Sequence, residues 1–172
     1  MTQVFCGGYD PKDGTSAPDV GDVVTFIAGG AIPIGSTVAP TTADAGGMTV
    51  IECSTALGGA HLATGIYTGK GGSGAVATAA QVTSGLSGRA AVSGDVISVV
   101  KRGVVKARFA AQTVANAVTF GTVKLSPSAA TAGILQESTT TAPIAGNLWQ
   151  TLTGGGTTTG TEIVVTAKVN FR

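Results

Sequence analysis

From Glu162 to Phe171 the chain alternates. Ile163, Val165, Ala167, Val169 and Phe171 fall on one side, and Glu162, Thr166, Lys168 and Asn170 on the other. Side chains of an extended chain point alternately to opposite faces, so a period of two marks a half-buried strand. The opposing pattern, a sustained apolar stripe at i, i+3, i+4 and i+7 between capping residues, occurs nowhere in the sequence. With 27 glycines and 6 prolines among 172 residues, the chain is cut too often for long elements of any kind. Many short strands are therefore the expected building material.

Two further β-branched runs, Asp95–Val100 and Val104–Phe109, are joined by Lys101-Arg102-Gly103, a short glycine-containing link that predicts a hairpin. Weaker strands are predicted over Val20–Ile27, Met48–Cys53, Leu62–Tyr67, Val118–Leu125 and Asn147–Leu152, each bounded by Gly, Pro, Ser or Thr clusters. Ala-rich stretches at Ala75–Val82 and Ala110–Ala117 allow one or two short helices. The expected fold is mainly β, a small barrel or sandwich of many short antiparallel strands. Residues 1–18, with Gly7, Gly8, Pro11, Gly14 and Pro18, predict an extended N-terminal arm, and residues 19–172 a single β-rich domain. The run Gly69-Lys70-Gly71-Gly72-Ser73-Gly74 reads as a flexible loop, and Gly154–Gly160 as a loop into the last strand. Gly21-Asp22 before Val23–Ile27 matches Gly94-Asp95 before Val96–Val100. Either one turn-into-strand device is used twice, which is the favoured reading, or two related β-units divide the domain at about residues 19–88 and 89–172.

Charged residues are only 11% of the chain and sum to +1. That balance argues against a general nucleic-acid binder, which needs a strong basic excess. The charges are also segregated. Asp10, Asp13, Asp19, Asp22, Asp44 and Glu52 lie early, opposed there only by Lys12; Lys70, Arg89, Lys101, Arg102, Lys106, Arg108 and Lys124 follow, opposed only by Asp95. Such a chain can associate head to tail or fold its two regions together. The first residues have no basic n-region or unbroken apolar h-region, so no secretory signal is expected, and Val23–Ala39 is too short and too broken for a membrane span. Cys6 and Cys53 could pair, but without a secretory signal two reduced small hydrophobes are the favoured expectation.

Catalytic chemistry finds little material. His61 is the single histidine, set among small and apolar residues, and Gly85-Leu86-Ser87-Gly88-Arg89 lacks the last glycine of a nucleophile elbow. Gly65–Gly71 is one residue short of a phosphate-cradling loop and has no Ser or Thr after Lys70. One histidine and two separated cysteines do not make a zinc set, and Asp10–Gly14 lacks the alternating oxygens of a calcium loop. No enzyme, cofactor or metal is expected. The sharpest local feature is basic: on one strand Arg102, Val104, Lys106 and Arg108 point one way, and Lys101, Gly103, Val105, Ala107 and Phe109 the other. Arg102, Lys106 and Arg108 are candidate subunit contacts for an acidic protein surface, with Asp10 and Asp13 as candidate contacts on the acidic arm; the competing reading is an ordinary solvated face.

From about Arg89 to Arg172 the order of strands and turns is more particular. Val92-Ser93-Gly94-Asp95-Val96, Arg102-Gly103-Val104-Val105-Lys106 and Phe120-Gly121-Thr122-Val123-Lys124-Leu125 are followed by Ala132-Gly133-Ile134-Leu135, Ile144-Ala145-Gly146-Asn147-Leu148, a Gly/Thr loop and Glu162-Ile163-Val164-Val165. This half of the chain resembles the small β-barrel capsid decoration (cement) proteins of tailed bacteriophages. The resemblance implies a structural virion protein on the capsid exterior, made in the host cytoplasm. It would bind at junctions between major capsid protein subunits as a homo-oligomer, a dimer or trimer, without nucleic acid, membrane or cofactor. The alternative reading in the same composition class is a phage tail, baseplate or fibre component.

Overall fold

A computed structural model describes residues 22–41, 43–44, 46–53, 63–110, 124–128, 130–138, 145–148 and 162–171. These form ten strands and one short helix: β1 (Val23–Ala28), β2 (Thr37–Pro40), β3 (Thr49–Glu52), β4 (Gly65–Tyr67), α1 (Ala79–Thr83), β5 (Val96–Val100), β6 (Arg102–Ala110), β7 (Lys124–Pro127), β8 (Leu135–Glu137), β9 (Gly146–Leu148) and β10 (Glu162–Asn170). The mainly-β expectation holds, and the barrel form of it is the one adopted, twice. One closed barrel runs β1-β3-β2-β4-β5 and the other β10-β6-β8-β7-β9.

The two barrels share one wiring. In the first, β1 pairs parallel with β3, and the remaining pairs β3/β2, β2/β4, β4/β5 and β5/β1 are antiparallel. In the second, β6 pairs parallel with β8, and β8/β7, β7/β9, β9/β10 and β10/β6 are antiparallel. One parallel pair per barrel departs from the all-antiparallel expectation. Five short strands cannot leave an edge open without exposing unpaired backbone groups, and the parallel pair is what lets the fifth strand close the ring.

The seam between the units lies at Lys101, not near residue 88. β5 and β6 are separated by that one residue, yet β5 pairs with β1 and β4, while β6 pairs with β10 and β8. Lys101-Arg102-Gly103 is therefore a crossing from one barrel to the next and not the turn of a hairpin. Nor do the two Gly-Asp segments mark equivalent units. Val23–Ile27 and Val96–Val100 are antiparallel partners within one barrel, Val23 opposite Val100 and Ile27 opposite Val96. The counterpart of β1 in the second barrel is β6. Gly21 lies outside the described residues, and the two aspartates differ in role, Asp95 accepting from Val92 N–H and Asp22 pairing with Arg102.

Two apolar clusters fill the molecule. Phe26, Ile32, Val38, Val50, Tyr67, Ile97 and Val99 pack inside the first barrel. The second cluster, built on Phe109, Leu125, Leu135, Leu148, Val165, Val169 and Phe171, crosses the seam to Ala39, Cys53, Ala63, Ile66 and Val100 of the first barrel. Burying one large apolar side chain contributes roughly 1.5–3 kcal/mol. The shared cluster therefore binds the barrels to each other with the same force that fills each of them. Short β2 and β8 were not among the expected strands. Thr37, Val38 and Ala39 are all buried, so β2 has no alternation to read, and β8 has only three residues.

The predicted flexible loop is pinned. Lys70 O accepts from Ser98 N–H at 3.0 Å, and Gly74 N–H donates to Ala90 O at 2.9 Å. Ser73 donates to the Asp95 carboxylate through both its N–H and its hydroxyl, each at 2.8 Å. Gly71, at φ +94°, lies so close to β5 that a Cβ would run into Val96 O. Its composition reflects close approach rather than looseness. In the Ala75–Val82 region the helix is the single turn-and-a-half α1, held by a reciprocal capping box between Thr78 and Gln81. The expectations for the 1–18 arm, the 154–160 loop and most of Ala110–Ala117 fall outside the described residues; Ala110 itself ends β6.

Gly71 and Gly94 make a controlled comparison. Both have φ near +90°, but nothing lies within 4 Å of a Cβ placed on Gly94. Gly94→Ala should cost about 1–2 kcal/mol, the left-handed backbone alone, and Gly71→Ala clearly more, because Val96 must also move. Denaturant midpoints of the two variants against wild type check the order.

Candidate subunit-contact site

The alternation expected for the basic strand is correct. Along β6 Gly103, Ala107 and Phe109 are buried, and Arg102, Lys106 and Arg108 face outward. What the sequence did not disclose is that the outward face of β6 looks partly onto the first barrel. Arg108 is consequently no free docking group. Its side chain is only 15% exposed, and its guanidinium joins both barrels. Nε and Nη2 donate to the two oxygens of Glu162 on β10, at 2.6 and 2.8 Å. Nη1 donates to Glu52 Oε1 at the end of β3, at 2.9 Å, and to Ser36 Oγ at 2.7 Å. The Ser36 hydroxyl in turn donates to Glu52 Oε1 at 3.0 Å. Planar Arg is suited to this role because its fork meets one carboxylate bidentately and leaves a further nitrogen for a second acceptor. Arg108 is held above its ordinary value, first by the hydrogen bonds it donates to Glu162 and then by the charges of Glu162 and Glu52, against burial, which acts the other way.

The backbone around this group is built for close approach. Arg108 N–H donates to Gly35 O at 3.0 Å, Thr37 N–H to Gly133 O at 2.8 Å and Gly133 N–H to Cys53 O at 3.0 Å. A Cβ on Gly133 would collide with the Glu52 carboxylate. The glycine turn Ala132-Gly133-Ile134-Leu135 thus serves as the place where the second barrel makes room for the Glu52 carboxylate of the first.

The other two cations also have intramolecular partners. Lys106 Nζ donates to Thr166 Oγ1, its direct cross-strand neighbour, at 2.7 Å, and its stem runs past the Gly85 turn of the first barrel. Arg102 pairs with Asp22 at 2.7 Å, with both side chains about 60% exposed. An exposed pair of this kind contributes about 0–1 kcal/mol. The expected acidic partner of the basic strand is, for Arg102 and Arg108, found within the same chain. Asp10 and Asp13 lie outside the described residues, as do Cys6 and His61. Cys53 is buried in the shared core, where desolvation raises its thiol above the ordinary value.

Two other carboxylates tie turns at the far end of the first barrel. Asp44 accepts from Gly46 N–H at 2.9 Å and Thr49 N–H at 2.7 Å. Asp95 accepts from Val92 N–H at 2.8 Å as well as from Ser73. Both stay below their ordinary value of 3.8, Asp44 chiefly through hydrogen bonds from Thr49 and Gly46, and Asp95 through those from Val92 and Ser73. Between and beside them the surface is apolar: Ile27, Met48, Val92 and Val96 are exposed, Met48 to 53% and Val96 to 60%. Sequence reading missed this patch. Only Ser98 on β5 and its cross-strand partner Thr25 on β1 mark the face that Val96 and Ile27 share, and one small polar residue per strand among β-branched neighbours is a weak signal.

Among the described residues, no three of His, Cys, Asp or Glu stand close enough to hold a metal ion, and no helix is long and apolar enough to cross a membrane. No protein-family model matches the chain, and no curated protein matches it. The candidate site is therefore argued from geometry.

Two outcomes follow from these placements. Arg108→Met should leave Glu52 and Glu162 facing each other across the seam and lower stability by about 1–3 kcal/mol, the cost of partly buried polar groups left without a partner. Arg102→Met should fall within about 0.5 kcal/mol of wild type. Equilibrium unfolding of both variants checks the contrast. The second concerns acid. Asp44 and Asp95 have folded values below their unfolded ones, so their contribution is full above about pH 4 and is lost as pH falls through the lower folded values. Asp95→Asn should lower the denaturation midpoint at pH 7 and shrink the drop between pH 7 and pH 3.

Proposed function

We propose that this protein is a structural binding module that decorates and stabilises a bacteriophage capsid, docking where major capsid protein subunits meet. The observation that carries the reading is the combination of a closed double barrel with an exposed apolar end. Five of its ionic groups are committed to the body: Arg108 with Glu52 and Glu162 to the seam, and Asp44 and Asp95 to turns. Ile27, Met48, Val92 and Val96 are left outside. Exposed apolar residues gathered at one place mark interaction surfaces. The span that resembles the cement proteins, 89–172, contains the whole of the second barrel together with β5.

A protein of this kind acts by mass action. Binding the assembled shell and not the separated subunits shifts the balance towards the shell, by RT ln(1 + [L]/Kd) per site. Many copies on one lattice make a weak single contact effective. No bond need be made or broken.

The test is direct. Purified phage heads lacking the protein, mixed with it, should carry stoichiometric copies visible by electron microscopy and should resist heat to a higher temperature than bare heads. Absence of binding to heads, or localisation on the tail, overturns the reading.

A further inference from the structure

We infer that residues 78–88, α1 with its C-terminal turn, are a strap that reaches from the first barrel over the outer face of β6 and opens without unfolding either barrel. Closed, it shields the Arg108 ion pair from water; open, it uncovers the face that carries Lys106 and Arg108. The inference does not depend on the capsid reading.

The strap is rooted in the first barrel by a short ribbon. Gly74 N–H donates to Ala90 O, Ala90 N–H to Ala75 O, Ala77 N–H to Gly88 O and Arg89 N–H to Gly69 O, each at 2.8 or 2.9 Å. At the tip of this ribbon α1 is ordered by its own backbone. Its start carries the capping box of Thr78 and Gln81. At its end Gly85 N–H donates to Val82 O and Leu86 N–H to Gln81 O, both at 2.9 Å, and Gly85 has φ +90°. That pair of bonds around a left-handed glycine closes a helix. Yet none of the five helical residues is buried, and Val82 is 56% exposed. So short a helix is marginal in water and normally takes its stability from a packed face. Here the helix packs no face, so its hold on the body must come from elsewhere.

One residue fastens it. Leu86 is 4% exposed, while Gly85, Ser87 and Gly88 around it are exposed. A Cβ on Gly35 would lie 3.0 Å from Leu86 Cδ2 and 3.4 Å from Arg108 Cγ, so the two side chains sit over the same backbone position. A Cβ on Gly85 would lie 2.9 Å from Lys106 Cε. The end of the strap therefore rests on the stems of two successive outward residues of β6. Arg108 is more buried than either carboxylate it binds, at 15% exposure against 27% for Glu52 and 39% for Glu162, and Leu86 is the apolar side chain placed beside its stem. Local opening costs what the segment buries. Lifting the strap exposes essentially one leucine, whereas opening a barrel exposes a whole apolar cluster. The strap is the cheaper motion, and it is the one that lets water reach the guanidinium.

Hydrogen exchange of the full chain, followed by NMR, tests this. In the wild type the Gly85 and Leu86 amides, bonded within the strap, should exchange at least about a hundredfold faster than those of Tyr67 and Ala145, which donate to Ser36 O and Leu125 O in the barrels. Low denaturant should leave the strap rates unchanged, because local opening exposes little surface. The Arg108 Nε–H, bonded to Glu162, should exchange slowly in the wild type and at least about tenfold faster in Leu86→Ala. That variant should keep the wild-type circular dichroism, with Tyr67 and Ala145 still its slowest amides. Strap amides as slow as the barrel amides overturn the proposal, and this is read on the wild type alone. An Arg108 Nε–H whose rate Leu86→Ala leaves unchanged overturns it as well.

Discussion

Arg108, only 15% exposed, joins the two halves of this molecule. Arg108 stands on the second barrel, receives Glu162 from its own barrel and Glu52 with Ser36 from the first, and is screened from water by the packing around it. Its removal would leave two carboxylates without their shared cation, and no other described cation touches both. The shared apolar cluster supplies most of the attraction between barrels, because hydrophobic burial is non-directional and scales with area. The ion pair supplies what that attraction lacks, a fixed rotational register. Gly35 and Gly133 exist where they do because this register brings backbone within reach of backbone.

Closure is the second constraint. Strands of three to nine residues would be marginal as an open sheet, since every edge presents unpaired N–H and C=O groups. Repeating one five-strand wiring solves the problem twice and leaves a body whose surface chemistry is carried by side chains rather than by edges. Such a body binds through what it displays on strand faces and turns. The exposed Ile27–Val96 pair is a display of this kind.

The distribution of charge then separates structural from interactive groups. Carboxylates that hold turns or the seam still project negative potential, so Asp44 and Asp95 serve two purposes at the far end of the first barrel: they fix the loops and they rim the apolar patch. A chain with only 11% charged residues has few to commit, and specificity has to come from where they stand.

The strands themselves were legible in the sequence, because period-two alternation is a local consequence of extended backbone. β10, β6, β5, β1, β3 and β4 all lie where β-branched runs between glycine clusters placed them. The outward orientation of Arg102, Lys106 and Arg108 was legible for the same reason. Partners were not. That β5 leaves β6 and pairs with β1, that the units divide at Lys101, and that Arg108 meets Glu52 across 56 residues are decided by long-range packing, about which local pattern carries no information. The glycine run at 69–74 shows the same limit from the other side: composition reports backbone freedom, and only the neighbouring β5 and its Asp95 turn convert that freedom into a pinned, close-packed loop. The sequence by itself determined which residues are strands and which side of each is apolar; the tertiary structure alone decided which of those sides face each other and which are left to face a partner.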